Sequence, residues 1–442
     1  MKLYILNKKY NWFVSGALIA GAIGIATACT KIQPGSNVRR KPDADSTSVV
    51  ALKIDTLAPT VALKHVGGLH TPEDFARIKA KIAAGENPWL VTWNKLQGNS
   101  HAQASYTANP VAKLIRGGGS AEEPEPDNYS RAFNDAAAAY QLALRWKISG
   151  DETYAAAAVK ILNAWAATCK RISGDSNTAL AGGIYGYQFA LAAELLRDYS
   201  GWAATDFAAY KQWMLDVFYS LNMAFLTSHW GTCDSHYWAN WDLANLASVM
   251  AIAILTDNRS MYNYVINYLQ NGKGNGNWYK AINHVFTGAD ASLAQIQESG
   301  RDQGHATLVI ALMGTICQMA WNQGDDFFGL DDNRFLKACE YVAKYNVAFL
   351  DVPFNQYIRK WAANCAQTET HTQVSDNGRG TDRPMWSLPY YHYVKVKGKT
   401  ATYTAMGFEK VRAAGEGGGG DYGPNSGGYD QLGFGTLMYA LP

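Results

Sequence analysis

Charge is scarce in this 442-residue chain: Asp, Glu, Lys and Arg make up only 17% of it, with 39 Lys plus Arg against 37 acids. No basic stripe and no RNA-type motif is present, which removes nucleic acid from the partners to be considered. Cysteine is sparse as well. Besides Cys29 there are five, Cys169, Cys233, Cys317, Cys339 and Cys365, odd in number and widely scattered. With no CxxC pair and no Cys/His zinc spacing, they indicate neither a disulfide framework nor a metal site, and most read as core thiols. The glycine run 415–420 has no P-loop lysine and no strand-to-helix fingerprint, so it reads as a loop and not as a phosphate cradle. Abundance lies elsewhere. Hydrophobic residues supply 48%, with 14 Trp and 26 Tyr, a composition suited to a globular protein with an aromatic-lined cleft.

Residues 1–28 read as an export signal, with Lys2, Lys8 and Lys9 ahead of an apolar run at 13–25 and the small-residue site Ala26-Thr27-Ala28. The apolar run is short for a membrane span. Cys29 directly after that site resembles a bacterial lipoprotein box, although Ala26 stands where Leu is usual. This implies acylation of Cys29 and an exported, membrane-anchored protein, periplasmic or on the cell surface. Residues 29–63, rich in Pro, Ser and Asp, read as the lipidated tether.

From residue 64 the pattern is helical. Thr71-Pro72-Glu73-Asp74 is a helix start, with an N-cap, a proline in the first turn and acids after it. Apolar positions recur at helical spacing over 129–148, 153–171, 180–199, 205–227, 237–256, 261–270, 303–321 and 333–349, separated by turn signals. The segments alternate. Those at 129–148, 180–199, 237–256 and 303–321 are apolar nearly all round, and an all-round apolar helix must be buried on most faces. The alternation predicts an all-α fold: an α/α toroid, an incomplete barrel of antiparallel hairpins with an inner ring inside an outer one, over 64–383. A small C-terminal part with β and loop elements, 384–442, includes a β-type run at 390–396 and an apolar segment at 432–441 that closes the ring.

In a toroid the inner helices run one way, so their N-termini share one mouth. Just inside those starts stand Tyr129, Asn134 and Asp135, then Tyr185, Tyr187 and Gln188, then His236, Tyr237 and Asn240, then Arg301, Gln303 and His305. Trp230, Trp238 and Trp241 flank them and offer flat surfaces for sugar rings. The densest cluster is Gln297-Glu298-Ser299-Gly300-Arg301-Asp302-Gln303-Gly304-His305, at a helix start where unpaired N–H groups and a positive dipole favour an anion. A capped first turn with Glu298 paired to Arg301 accounts for the same residues. Tyr390-Tyr391-His392-Tyr393 offers a wall or an acid from the C-terminal part, or an aromatic strand.

The stretch from Asp135 to Trp146, continuing through Ser149-Gly150-Asp151, Tyr154-Ala155 and Ile161-Leu162-Asn163-Ala164-Trp165, resembles the alginate lyase family of helical-toroid polysaccharide lyases. The tract from His236 to Asn240 resembles the family's Asn/His-bearing helix start, and Glu298 and Arg301 keep its Glu-x-x-Arg spacing. Two departures stand out: the adjacent Asn-His pair is missing as such, and Thr307 occupies the place of an expected tyrosine, with His305 the nearest titratable group.

The resemblance implies β-elimination on a 4-linked uronic-acid polysaccharide of alginate or glucuronan type. Arg301 and Asn240 would hold the carboxyl group, His305 or His236 would be the base, and Tyr237 or Tyr187 the proton donor. Tyr185, Tyr187, Gln188, Trp230, Trp241, Glu298 and Gln303 would contact substrate. The scheme requires no metal and no cofactor. Two other readings stay open: a glycoside hydrolase drawing two carboxylates from Asp135, Asp242, Glu298, Asp302 and Asp430, and a non-catalytic glycan-binding lipoprotein.

Overall fold

The computed structural model describes residues 61–381, 383–414 and 430–442. The export signal, Cys29, the tether up to residue 60 and the glycine run 415–420 lie outside the described residues. The last residues assigned to the tether already pack on the fold: Arg259 donates to the carbonyls of Val61 and Ala62 at 3.1 and 3.2 Å, and Leu63 is buried.

The helices in chain order are α1 (Pro72–Ala83), α2 (Trp89–Gly98), α3 (Ser130–Ser149), α4 (Glu152–Thr168), α5 (Thr178–Leu195), α6 (Ala204–Trp213), α7 (Ser220–Ser228) and α8 (Ala239–Leu255). They continue as α9 (Arg259–Asn271), α10 (Trp278–Ala281), α11 (Gln303–Gln323), α12 (Leu330–Asn346), α13 (Ser387–Tyr390), α14 (Thr402–Ala414) and α15 (Gly435–Tyr439). A π-helical turn, Met214–Tyr219, joins α6 to α7, so the apolar pattern at 205–227 is one continuous rod. Three short strand pairs complete the list: β1 (Lys113–Ile115) runs parallel to β2 (Arg171–Ser173), while β3 (His284–Val285) with β4 (Ala294–Gln295), and β5 (Tyr357–Trp361) with β6 (Gln367–His371), are antiparallel.

The start of α1 is a capping box. The Thr71 side chain accepts from the Asp74 backbone N–H, and Asp74 accepts from the Thr71 N–H at 2.9 Å, a device worth about 1 kcal/mol.

The α/α toroid follows from the burial pattern. Every residue of α5 after Thr178 is buried, as is all of α8 except Trp241 and all of α11 except Gly304, His305 and Trp321. With α3 these form the inner layer. The outer helices bury one stripe each: α4 through Ala155, Ala158, Ile161, Leu162 and Trp165, and α9 through Met261, Tyr262, Val265, Ile266 and Leu269.

Two glycines on α5 set how closely it meets α8. A Cβ on Gly183 would lie 2.7 Å from the Ala244 carbonyl carbon, and one on Gly186 2.2 Å from Ser248 Oγ. The same seam holds a closed polar chain: Ser248 Oγ donates to Asn222 at 2.8 Å, Asn222 to Asn245 at 2.7 Å, and Asn245 to the Trp241 carbonyl at 2.9 Å. Each of these three side chains has a partner, so this chain of polar groups is satisfied within the seam.

The C-terminal part differs from expectation. The β hairpin falls at β5 and β6, before residue 384, and the run at 390–396 is helical: α13 continues as a π-helical turn, Tyr391–Val396. Its aromatic residues suggest a strand by propensity, but packing decides otherwise. Tyr390 stacks on Phe408 at 4.2 Å, and Tyr393 meets Phe328 at 5.6 Å. The final apolar segment forms α15, which packs on α1, α2 and α13.

Candidate active site

Arg301 and His305 stand at the start of α11 with Asp302 as the N-cap between them. Asp302 Oδ1 accepts the His305 backbone N–H at 2.8 Å, and the same carboxylate lies 2.7 Å from the His305 Nδ1. Nη2 of Arg301 is 3.3 Å from the opposite ring nitrogen, Nε2. Burial alone would raise the Asp302 carboxyl, but the hydrogen bonds and charge of His305, with Arg301, hold it below the ordinary range. Arg301 also donates from Nη1 to Glu298 at 2.9 Å and lies over the Trp238 ring at 5.1 Å. The capped turn and the Glu298–Arg301 pair are therefore both present, and the turn still presents its groups outward: the side chains of Arg301 and His305 are 26% and 36% exposed.

Glu298 joins two elements. Fully buried, it accepts the Asn240 backbone N–H at 2.9 Å with Oε1 and Arg301 with Oε2, while Gln297 accepts the Ala239 N–H at 2.9 Å. The segment preceding α11 thus caps the start of α8, where a negative charge opposes the positive end of the helix dipole. Asn240 itself is 1% exposed, and neither atom of its side-chain amide has a hydrogen-bond partner.

The hairpin β5–β6 forms one wall. Arg359 lies over Trp238 at 4.3 Å on an indole that also meets Arg301, pairs with Glu369 at 3.1 Å and donates to the His236 carbonyl at 3.1 Å. A disulfide between Cys233 and Cys365 (Cα–Cα 5.4 Å) fastens the hairpin tip to the chain entering α8. This bridge was not expected from the sequence, whereas Cys169, Cys317 and Cys339, most of the five, are buried thiols as expected. The partners are 132 residues apart, and pairing over that distance leaves no spacing signature. His236 is held by the same wall. Its Nδ1 accepts the Ala362 N–H at 2.8 Å, which leaves the proton of the neutral ring on Nε2 and no lone pair to act as a base. Burial, with Arg359 nearby, pushes its pKa down.

The opposite wall comes from the loop after β1 and from the C-terminal chain. Arg116 donates to the Tyr185 hydroxyl at 3.2 Å and lies over the Tyr129 ring at 5.0 Å. The Tyr237 hydroxyl bonds Ser176, and burial raises its pKa. Asp430 pairs with Arg383 at 2.7 Å; burial raises its carboxyl against the pull of Arg383, Arg116 and His305.

Several residues expected to face substrate are committed inside the fold. Gln303 donates to the carbonyls of Ser299 and Ser375 at 3.1 and 2.9 Å and accepts from Asn346 at 2.8 Å, so it is a strap within the fold, with both amide protons committed. Tyr187 is buried and its hydroxyl donates to the Asp430 carbonyl; Gln188 is fully buried and donates to Tyr187 at 3.4 Å. Tyr185 is buried beneath Arg116. Trp241 packs on Tyr237 at 4.7 Å, whereas Trp230 is 36% exposed.

His392 is not part of this site. It stacks on Phe328 at 3.6 Å beside Trp321, at the other end of α11 from His305, on the order of 25 Å away along the helix. Asn134 Oδ1 accepts from His101 Nε2 at 2.8 Å. Arg116 and Arg359 were not legible as site residues, because each reaches the mouth through contacts distant in sequence.

The alginate lyase family model matches residues 94–349, more than half of the chain. Among solved structures, the chain is similar to an alginate lyase from Bacteroides ovatus, with a TM-score of 0.52 and 15% identity, covering 86% of this chain and 100% of that one. It is also similar to alginate lyase A1-III from Sphingomonas species A1, at 0.51 and 14%, covering 85% and 98%. A variant of A1-III complexed with tetrasaccharide gives 0.53 and 14%, covering 87% and 98%. No curated protein matches the chain.

Proposed function

Because the chain belongs to the alginate lyase family and is thereby a polysaccharide lyase, we propose that it cleaves a 4-linked uronic-acid polysaccharide, of alginate or glucuronan type, by β-elimination with His305 as the base. The observation that carries this reading is the order Asp302–His305–Arg301–Glu298. Asp302 accepts a hydrogen bond from the Nδ1–H of a neutral imidazole, so the lone pair sits on Nε2, beside the guanidinium that would hold the substrate carboxylate. A proton alpha to that carboxylate then lies within reach of the nitrogen that can accept it.

The reaction transfers one proton to His305 Nε2. The C–H electron pair becomes the new carbon–carbon double bond, the bond to the 4-linked oxygen breaks, and that oxygen takes a proton from Tyr237. Negative charge accumulates on the carboxylate as the C–H bond breaks, and Arg301 meets it; the unpartnered amide of Asn240 is the second donor. Tyr237 is preferred to Tyr187, whose hydroxyl is spent on the Asp430 carbonyl. Trp230 is the exposed surface for a sugar ring.

Commitment of the carboxylates argues against hydrolysis. Asp135 accepts from Tyr106, Asn109 and Trp165; Asp242 accepts from Tyr268 and Gly276 and pairs with His229; both Glu298 oxygens are engaged. A pair of carboxyl groups available to flank one glycosidic bond is not found among these residues.

Export, acylation at Cys29 and a periplasmic or cell-surface position complete the proposal; the charged, apolar and small-residue order of 1–28 supports them. The test of function is incubation with alginate, glucuronan and glycosaminoglycans, followed by ultraviolet absorbance of the unsaturated product. Cleavage without new absorbance would identify a hydrolase, and binding without cleavage a lectin-like role.

A further inference from the structure

The loop joining α9 to α10 is drawn down onto a buried carboxylate. Asp242, 1% exposed, lies 3.0 Å from His229 Nε2 and accepts from the Tyr268 hydroxyl at 3.0 Å and from the Gly276 N–H at 2.8 Å. A Cβ on Gly274 would stand 2.1 Å from Asp242 Oδ2, and one on Gly276 2.4 Å from Asp242 Cβ. Glycine is therefore what allows the approach. Asn275 of the same loop donates to the carbonyls of Tyr237 and Ser235 at 2.7 and 3.2 Å, tying the loop to the chain that enters α8.

Beside this seam opens a cavity of about 900 Å³, walled by the Cys233–Cys365 bridge. Its polar lining is Thr232, Ser235, Asn271, Lys273, Lys280 and Asn364. Among the described residues neither lysine is in an ion pair, and the Lys280 ammonium donates to the Lys273 carbonyl. Asp234, the single acid in the lining, lies 4.0 Å from His229 Nδ1. Two cations against one acid leave the lining net positive, and with its amides and hydroxyls it matches a sugar that bears a carboxylate. The position matches too. Ser235 in the cavity wall directly precedes His236 and Tyr237 at the mouth, and the exposed Trp230 directly precedes Gly231 of the lining.

We propose that this cavity is an accessory subsite that holds uronate units of the polymer beyond those at the bond being cleaved. Lys273 and Lys280 neutralise the carboxylate, and Asn271 and Asn364 bond the ring hydroxyls. The assignment rests on the polyuronate reading above. It gives long chains an advantage over short ones that the catalytic residues cannot supply.

The test is the double variant Lys273→Ala/Lys280→Ala, assayed on the polymer and on the shortest oligosaccharide that wild type cleaves. The ratio of the two KM values, polymer over oligosaccharide, should rise about 3- to 10-fold at low salt, and the rise should shrink at high salt. Lys273→Arg/Lys280→Arg should restore the wild-type ratio. A double variant with an unchanged ratio overturns the subsite while leaving the lyase reading intact. Affinity electrophoresis through gels containing alginate or glucuronan reads the cavity without turnover: wild type should be retarded more than the alanine variant. A wild type that neither cleaves nor is retarded by either polymer overturns the polyuronate reading itself.

Discussion

Nη2 of Arg301 stands 3.3 Å from Nε2 of His305, and because a guanidinium only donates, the imidazole must accept there. With Nδ1 turned to Asp302, the ring has one defined tautomer, and its lone pair is held by the residue proposed to bind substrate. Under the proposed mechanism, a carboxylate arriving at Arg301 would draw the guanidinium toward itself and release that lone pair. Binding and activation of the base are then one event.

His305→Asn should lower kcat by about 10²- to 10⁴-fold, the usual cost of losing a general base, with polymer binding retained. Initial rates by ultraviolet absorbance and a binding isotherm for the inactive variant check this. Near-full activity in His305→Asn, with loss in His236→Asn or Tyr237→Phe, would move the base to the other helix.

Arg301→Lys should reduce kcat by about 10²- to 10³-fold and raise KM far less. Lysine keeps the charge but cannot reach Glu298, His305 and the Trp238 face at once. Equal effects on kcat and KM would assign Arg301 to uniform binding instead.

Cys233→Ser should destabilise the protein by about 2–5 kcal/mol, since the bridge closes a long loop of the unfolded chain. Activity should fall along with stability, because the wall that carries Arg359 is released from the chain preceding His236. Urea titrations of the variant, and of wild type with and without reductant, measure it; identical curves would show that the bridge contributes nothing.

Acid should destabilise the fold in a defined window. Burial lowers His70 to about 4 and His392 to about 3, whereas an unfolded imidazole titrates near ~6.5. Between those values the unfolded chain binds more protons than the folded one, so stability is full above ~6.5 and falls as pH drops, by about 1.4 kcal/mol per unit for each histidine. The His70 loss ends near pH 4 and the His392 loss near pH 3. Unfolding free energies at a series of pH values should show this slope, and His392→Gln should reduce it; a slope unaffected by that change would count against the assignment.

Cys29→Ser should move the protein from the membrane to the soluble fraction and leave activity in lysate unaltered. Unchanged fractionation would reject acylation.

The inner helices were legible because burial on all faces leaves an all-round apolar pattern, and α5, α8 and α11 carry it almost without interruption. The Glu298 to His305 cluster was legible because its members are contiguous. Residues contributed by distant segments were not: Arg359 reaches Trp238 from a hairpin more than a hundred residues on, and Arg116 meets Tyr185 from a two-strand ladder too short to show alternation. The run at 390–396 was misread because its rings favour a strand until Phe328 and Phe408 are in place to pack against them. Gln303 had the right address but the wrong orientation, a distinction that only its three hydrogen bonds reveal.

Gly183 makes no contact of its own with substrate, yet it gauges the aperture. It lies one turn inside α5, opposite Ala244 one turn inside α8, where an added methyl would stand 2.7 Å from the Ala244 carbonyl carbon. A single carbon there is a wedge between the two helices, pushing the part of α5 that carries Tyr185 away from the part of α8 that follows Tyr237. The bore of this enzyme is calibrated by an atom it does not have, so widening it for a bulkier polymer starts at Gly183 and not at the residues that do the chemistry.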